Sequence, residues 1–440
     1  MFWGMIYYNL RIGDNDRYKK EIDMLIKGNF VYAVSKNSLI IKENKYMYVE
    51  DGVVQEFYDD IPENMYNEEV KDYKDSIIIP AFNDLHVHAS QYLNRGVGFD
   101  KELIPWLNTY TFPLEAEFAE IDFAKKAYEA FTDSVKRSGT MRFVAFATLH
   151  EQATWELMRI VEKSGLKAYI GKVNMDRNSS EKLTEETGKS LDETERLINR
   201  VSEELKNVKY ILTPRFVPST TERLMTGIAK LAETYNLPVQ SHLSENVSEV
   251  EWVKKLHPAV ESYTKVYEEY GLLRYNKTIM AHAIYLDDKE RELLHDKNVY
   301  LAHCAQSNAN LTSGIMPLRK YMNEGLNCVI ASDVAAGNSV AMNRHIEYTI
   351  QMSKINELNN KEDKAVNITE ALYMATKAPG RFFGKVGSFE KGYEFDALVI
   401  DMGESDIFYK RTPFEKLEQF IYTGDDRNIK EKYCSGKIVE

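Results

Sequence analysis

A chain of 440 residues with 44% hydrophobic and 28% charged side chains is composed like a folded globular protein, which excludes disorder over most of its length. Lys and Arg total 56 against 68 Asp and Glu, a net charge of −12 that argues against a nucleic-acid partner, because such affinity rests on cationic contacts to phosphate. The three cysteines, Cys304, Cys328 and Cys434, are too widely spaced for a disulfide framework or a Cys-x-x-Cys zinc site, and no apolar run reaches the ~18 residues of a membrane span, so a cytoplasmic protein with reduced thiols and no membrane contact is expected.

The opening, Met1-Phe2-Trp3-Gly4-Met5-Ile6-Tyr7-Tyr8, is apolar but short. It has no basic lead and no small-residue cleavage site, and predicts no signal peptide. The first ~75 residues then read as strands. Tyr46–Glu50 and Val53–Tyr58, separated by Asp51-Gly52, predict a hairpin with its turn dipeptide in place. From there apolar β-like runs alternate with helical stretches. The runs are Ile77–Ile79 leading to Leu85–His88, then Phe143–Ala147, Ala168–Val173, Tyr210–Thr213, Pro238–His242, Thr278–His282, Val299–His303 and Asn327–Asp333. Uninterrupted apolar runs are what strands buried on both faces look like. Ser190-Leu191-Asp192-Glu193 and Ser219-Thr220-Thr221-Glu222 read as capping boxes that open two of the intervening helices. Glu394–Ile400 and Cys434–Val439 return to a β pattern. Eight strand–helix units predict an α/β fold, a (β/α)8 TIM-type barrel, with an open doubly wound sheet as the alternative.

In such a barrel, chemistry sits at the C-terminal strand ends. Those ends carry His86-Val87-His88, then His150, Lys172, Arg215-Phe216, His242-Leu243-Ser244-Glu245, His282, His303 and Asp333. Six of the nine histidines therefore lie in or just after a barrel strand. His86 and His88, two apart on a strand, point to one face and form a ready chelate. Alone, such a pair is more often two buried structural histidines. With His242 and Asp333 at the same barrel end it makes a set of three nitrogens and one oxygen suited to a catalytic metal. Glu245 is placed to shuttle protons, and His282 to orient or polarise water or to serve as a fifth ligand. The fourth strand offers Arg215 where two-metal barrels often carry a modified lysine, and Lys172 lies on the third strand, so one metal is favoured over two. Arg215 is a fixed donor fork for a carbonyl-bearing ligand. His257, His295 and His345 fall in helical segments without an assigned role.

The segments His86-Val87-His88-Ala89-Ser90-Gln91-Tyr92, Tyr110-Thr111-Phe112-Pro113, Gly171–Asp176, Thr213-Pro214-Arg215-Phe216, Gln240–Asn246, Met280-Ala281-His282 and Thr423–Asn428 resemble the guanine deaminases of the amidohydrolase superfamily. The resemblance runs from about Ile77 nearly to the C-terminus. It implies hydrolysis of guanine, a small-molecule purine base, to xanthine and ammonia at one metal ion per chain. That ion is usually zinc, with iron (Fe2+) the other candidate. It also implies a homodimer, and a small β-sandwich domain formed by both chain ends, residues 1–78 and 385–440, beside a barrel over 79–384. Carried over residue by residue, His86, His88, His242 and Asp333 are the metal ligands. Glu245, His282 and Asp333 are the catalytic groups. Ala89, Ser90, Gln91, Trp106, Arg215 and Phe216 join His88, His242, Glu245 and Asp333 around the substrate. The sequence departs from the usual pattern at Met141-Arg142 after Gly139-Thr140, at Ala305-Gln306 after His303-Cys304, and at Ala331 before Asp333. The last two are expected to shape the pocket, which leaves a sister activity on 8-oxoguanine, a pterin or a triazine as the alternative reading.

Overall fold

The computed structural model describes residues 24–65, 69–403 and 409–440; Met1–Tyr8 lies outside them. Four strands come first: β1 (Met24–Ser35), β2 (Ser38–Glu50), β3 (Val53–Tyr58) and β4 (Val70–Pro80). The expected hairpin is β2–β3. Glu50 pairs with Val53, and Asp51 and Gly52 take φ values of 50° and 72°, the left-handed pair that a two-residue primed turn requires.

The barrel follows, with β5 (Phe82–His88), β6 (Thr140–Phe146), β7 (Lys167–Gly171), the short β8 (Val173–Asn174), β9 (Val208–Tyr210), the short β10 (Thr213–Pro214), β11 (Val239–Leu243), β12 (Thr278–His282), β13 (Tyr300–His303) and β14 (Asn327–Ile330). The strands β5, β6, β7 and β9 form one parallel arc, and β11 to β14 form another. A parallel bridge from Leu212 to Val239 joins the arcs on one side. On the other, Asp333 N donates to His86 O and His88 N to Val334 O, both at 2.9 Å. The ring is closed, so the fold is the (β/α)8 barrel rather than the open sheet. Gly171 sits where the β7 end crowds its neighbour: a Cβ there would fall 1.9 Å from Thr213 Oγ1.

Three strands complete the chain: β15 (Ala397–Ile400), β16 (Ile429–Cys434) and β17 (Lys437–Ile438). They join the first four in one seven-stranded sheet, ordered β17-β16-β15-β4-β1-β2-β3. A bridge from Val53 to Glu394 ties the far edge back to the stretch leading into β15, so the sheet closes over its own core, which includes Phe30, Met47, Ile78, Phe389, Phe395 and Tyr433. Ile77–Ile79 belongs to this sheet, in β4, and not to the first barrel strand as the run suggested. It reads as continuous apolar sequence because it is buried on both faces: Ile78 enters the β-domain core, while Ile77 and Ile79 enter the barrel's core.

Two helix starts differ from expectation. The helix Glu222–Thr234 is capped by Thr221, whose Oγ1 accepts from Leu224 N, rather than by Ser219, which completes a preceding turn. The helix Thr187–Glu204 begins before Ser190, with Glu186 as its cap. Ser190 instead turns inward, where its hydroxyl donates to Glu185 and accepts from Asn174. A buried polar partner outcompetes a cap that any neighbouring residue can supply.

Arg142, one of the departures, welds the two parts together. From β6 its guanidinium reaches Asp396 at 2.5 Å, Glu394 at 2.7 Å and Ser435 Oγ at 3.1 Å. Burial alone would raise the Glu394 carboxyl, but the Arg142 charge, with bonds from Ser435 and Lys167, holds it down at about 2. Arg142→Met should cost about 3–5 kcal/mol in urea unfolding at neutral pH, because it strands the buried Asp396 carboxylate. The Glu394 contribution is fully present above the usual carboxylate pKa of 4.5 and is lost as pH falls toward 2. The stability gap between wild type and Arg142→Met should therefore narrow through that window, and a constant gap would remove Glu394 from the weld.

Candidate active site and metal centre

Four strand ends converge on one point. His86 and His88 project from the end of β5, His242 from β11, His282 from β12, and Asp333 from just beyond β14. Ser244, His282 and Asp333 take left-handed backbone, with φ of 49°, 70° and 46°. Such conformations cost free energy in non-glycine residues and collect where function over-determines the backbone.

His86, His88, His242 and Asp333 are buried, and their ligand atoms all lie within 4.8 Å of one another. His88 Nε2 stands 3.1 Å from His242 Nε2, and Asp333 Oδ1 stands 3.1 Å from His86 Nε2 and 3.3 Å from His88 Nε2. Four donors at ~2.0–2.1 Å from one ion in a tetrahedron would be about 3.3 Å apart. His86 Nε2 makes no well-directed hydrogen bond despite its burial, as expected of an atom aimed at a shared centre. His242 Nδ1 lies 2.6 Å from Arg215 O; donating there leaves the Nε2 lone pair free for a ligand bond. The set fits a divalent metal. A second grouping replaces His88 and His242 with His282 and Cys304. It is the poorer candidate, because Cys304 Sγ donates to Ala302 O and His282 is held for another task. The remaining barrel-end groups lie outside the set. His150 and His303 do not line the cavity, and Lys172 is buried in an ion pair with Glu185 at 2.5 Å.

The electrostatics agree with neutral imidazoles around an anionic ligand. Burial pushes His88 down to about 4 and His242 well below the usual imidazole range, helped in His242 by His86, His88 and His282. Burial would raise Asp333, but its contacts with His86 and His88 outweigh that and hold it well below the usual carboxylate range. Glu245 goes the other way: burial, then the Asp333 charge, pushes it up to about 8. Its Oε1 accepts from Ser313 Oγ at 3.0 Å, and its Oε2 faces His282 Nε2 at 3.4 Å. Asn308 Oδ1, 2.8 Å from His282 Nδ1, fixes the opposite side of that ring.

Above these groups lies a cavity with about 410 Å³ of empty space, which includes open solvent at its mouth. His88, His242, Glu245, His282 and Asp333 form its floor; Gln91, Trp106, Arg215 and Phe216 form its walls. Ala89 and Ser90 sit in the turn Ala89–Asn94 just behind, buried and not among the lining side chains. Gln306 and Ala331 do not line it either: Gln306 Oε1 accepts from Asn338 N, and Ala331 packs in the barrel interior. The loops after β13 and β14 face the cavity through Leu311 and Ala336 instead.

Several groups of the site escaped the sequence reading. Glu115, Asn308 and Ser313 are buried and hold Arg215, His282 and Glu245 respectively. Glu249 accepts from Glu245 N while closing the capping box of the helix Val247–Leu256. That box, Asn246-x-x-Glu249, was a legible local signal.

The Amidohydrolase family pattern matches residues 77–439. The chain belongs to the amidohydrolase family. This amidohydrolase is 35% identical to a guanine deaminase of Dictyostelium discoideum over 96% of its own length and 99% of that protein. It is 37% identical to a guanine deaminase of Homo sapiens over 82% of each chain. Its fold matches, with a TM-score of 0.93 at 45% identity, a guanine deaminase from C. acetobutylicum solved with guanine bound in the active site, covering 95% of this chain and 100% of that one.

The amidohydrolase's metal set can be tested directly. His86→Ala should reduce metal content per chain to a small fraction of wild type by elemental analysis, with the far-UV spectrum unchanged. Stripping the wild type with a chelator should lower Tm, because an ion at 1,000 times its Kd adds about 4 kcal/mol to the folded state.

Proposed function

We propose that the chain hydrolyses guanine to xanthine and ammonia, with one zinc ion per subunit as a homodimer in the cytoplasm, serving purine breakdown. The observation that carries the reading is the three-histidine, one-aspartate set sharing one cavity with Glu245, Gln91 and Arg215. Close kinship to guanine deaminases over nearly the whole chain supports it. Imidazole-rich sites suit both zinc and ferrous iron, and zinc fits the four-donor count.

His86, His88, His242 and Asp333 would hold a divalent ion, which would supply acidification of water so that a nucleophile is available at neutral pH. The rest is done by side chains. The raised Glu245 can hold a proton near neutrality, so it can take one from the attacking water and deliver it to ring N3, making C2 electrophilic, and then take the remaining hydroxyl proton of the tetrahedral centre and pass it to the departing amine as the C2–N bond breaks. Asp333 accepts the hydrogen bond that turns the attacking water toward C2. His282, anchored through Nδ1 on Asn308, presents Nε2 to the tetrahedral centre. Arg215 and Gln91 grip the purine so that C2 rather than C6 meets the floor, and Trp106 and Phe216 close on the ring. Holding reactants in attack geometry is itself a large part of the rate gain.

Purified, metal-loaded protein should convert guanine stoichiometrically to xanthine and ammonia while leaving adenine intact; preference for 8-oxoguanine or a pterin would reassign the substrate. Glu245→Gln should retain metal yet lose about 10²–10⁴ in kcat, the usual worth of a positioned proton carrier. Near-native kcat would end the proton-shuttle role.

A further inference from the structure

The Tyr110-Thr111-Phe112-Pro113 segment has no part in the chemistry above, yet it leads into a short helix, Phe112–Ala116, that faces the cavity wall. Phe112 and Glu115, three apart, share one face of that helix. The Arg215 guanidinium lies over the Phe112 ring, 5.1 Å from its centroid. Glu115, only 3% exposed, accepts from Gln91 Nε2 at 2.9 Å with one oxygen and from Arg215 Nη1 at 2.6 Å with the other.

Both Glu115 oxygens are acceptors here, so the group is a carboxylate and can face donors only. Arg215 has nothing but donors to offer. Gln91, however, has an amide with two ends, and only its NH2 end can meet Glu115. The amide oxygen is thereby left for the cavity, next to the remaining Arg215 donors. We propose that Glu115 is a positioning residue that sets the polarity of the substrate wall: one acceptor, Gln91 Oε1, beside one donor, Arg215. That pattern complements a lactam edge, an N–H next to a C=O, such as N1–H and O6 of guanine. It opposes an amidine edge, a ring nitrogen acceptor next to an amino donor. Glu115 thus makes the wall read the 6-oxo group, separately from the chemistry at C2. This rests on the guanine reading of the same site.

The discriminating probe is 2,6-diaminopurine. It carries the same 2-amino group as guanine but reverses the donor and acceptor at N1 and C6. A site built around buried polar groups rejects a substrate that leaves them mispaired far more strongly than one that merely lacks volume. Wild type should favour guanine over 2,6-diaminopurine by at least about a hundredfold in kcat/KM. Glu115→Gln has a neutral amide that can donate to the Gln91 oxygen and so release it to turn. It should cut that ratio about tenfold or more, chiefly through a higher KM for guanine with kcat less affected; metal content should stay near wild type, while Tm falls because the buried Arg215 loses its counter-charge. Glu115→Asp, still an acceptor, should keep more of the ratio than Glu115→Gln. If Glu115→Gln does not accumulate as folded protein, Gln91→Leu should collapse the same ratio by removing the acceptor outright. Equal losses for both purines, leaving the ratio at the wild-type value, would overturn the inference and leave the guanine reading intact. Failure of metal-loaded wild type to turn over guanine would overturn both.

Discussion

Closure of the barrel between its first and last strands is the constraint on which the site depends. Asp84 is buried in the first half of β5. Its carboxylate accepts from His86 N, from Ser332 N and from Ser332 Oγ, so one side chain clamps two segments 248 residues apart in the chain. The backbone bonds from Asp333 N to His86 O and from His88 N to Val334 O complete the seam. Without this seam two candidate ligands, His86 and His88, would belong to one edge of a sheet and the one carboxylate of the set, Asp333, to the other. With it, they share a centre a few ångströms across.

The second requirement is charge balance inside a dry interior. An isolated buried charge is expensive, and each one here has a partner. Arg215 is met by Glu115, Arg142 by Asp396 and Glu394, and Lys172 by Glu185 and Glu193. At the barrel's mouth like groups are crowded together. His88 and His242 face each other at 3.1 Å, Asp333 stands 3.1 Å from His86 and 3.3 Å from His88, and Glu245 stands 3.4 Å from His282. Burial holds the His88 and His242 imidazoles below their usual range and, with the Asp333 charge, pushes Glu245 up to about 8, while the contacts with His86 and His88 hold Asp333 down, so two acids in one pocket are driven apart.

The supporting residues explain why the site stays in place. Three of the chemical groups are tied by residues from other elements, His242 by the Arg215 carbonyl, His282 by Asn308 and Glu245 by Ser313, and the Glu245 backbone is held by Glu249, itself held by Tyr263. The β domain contributes from a distance. It closes over its own core and is pinned to the barrel's β6 through Arg142, so the unusual residue at that position is structural and lies away from the substrate.

What the sequence alone determined was local. His-x-His on a strand puts two rings on one face, Asp-Gly between strands makes a primed turn, and apolar runs mark strands buried on both sides. These follow from backbone periodicity and turn sterics, which need no knowledge of the rest of the chain. The barrel-end histidines, Asp333, Glu245 and Arg215 were legible for the same reason: each terminates a recognisable strand. The tertiary structure decided everything that depends on a distant partner. Nothing in the sequence singled out Glu115; the fold set it between Gln91 and Arg215, the latter 100 residues away. Ser190 looked like a cap until a buried carboxylate claimed its hydroxyl. Gln306 and Ala331 looked like pocket residues until their loops turned other side chains inward. Hydrogen bonds in a low-dielectric interior reward whichever donor and acceptor the chain brings together, and sequence spacing carries no record of which those are.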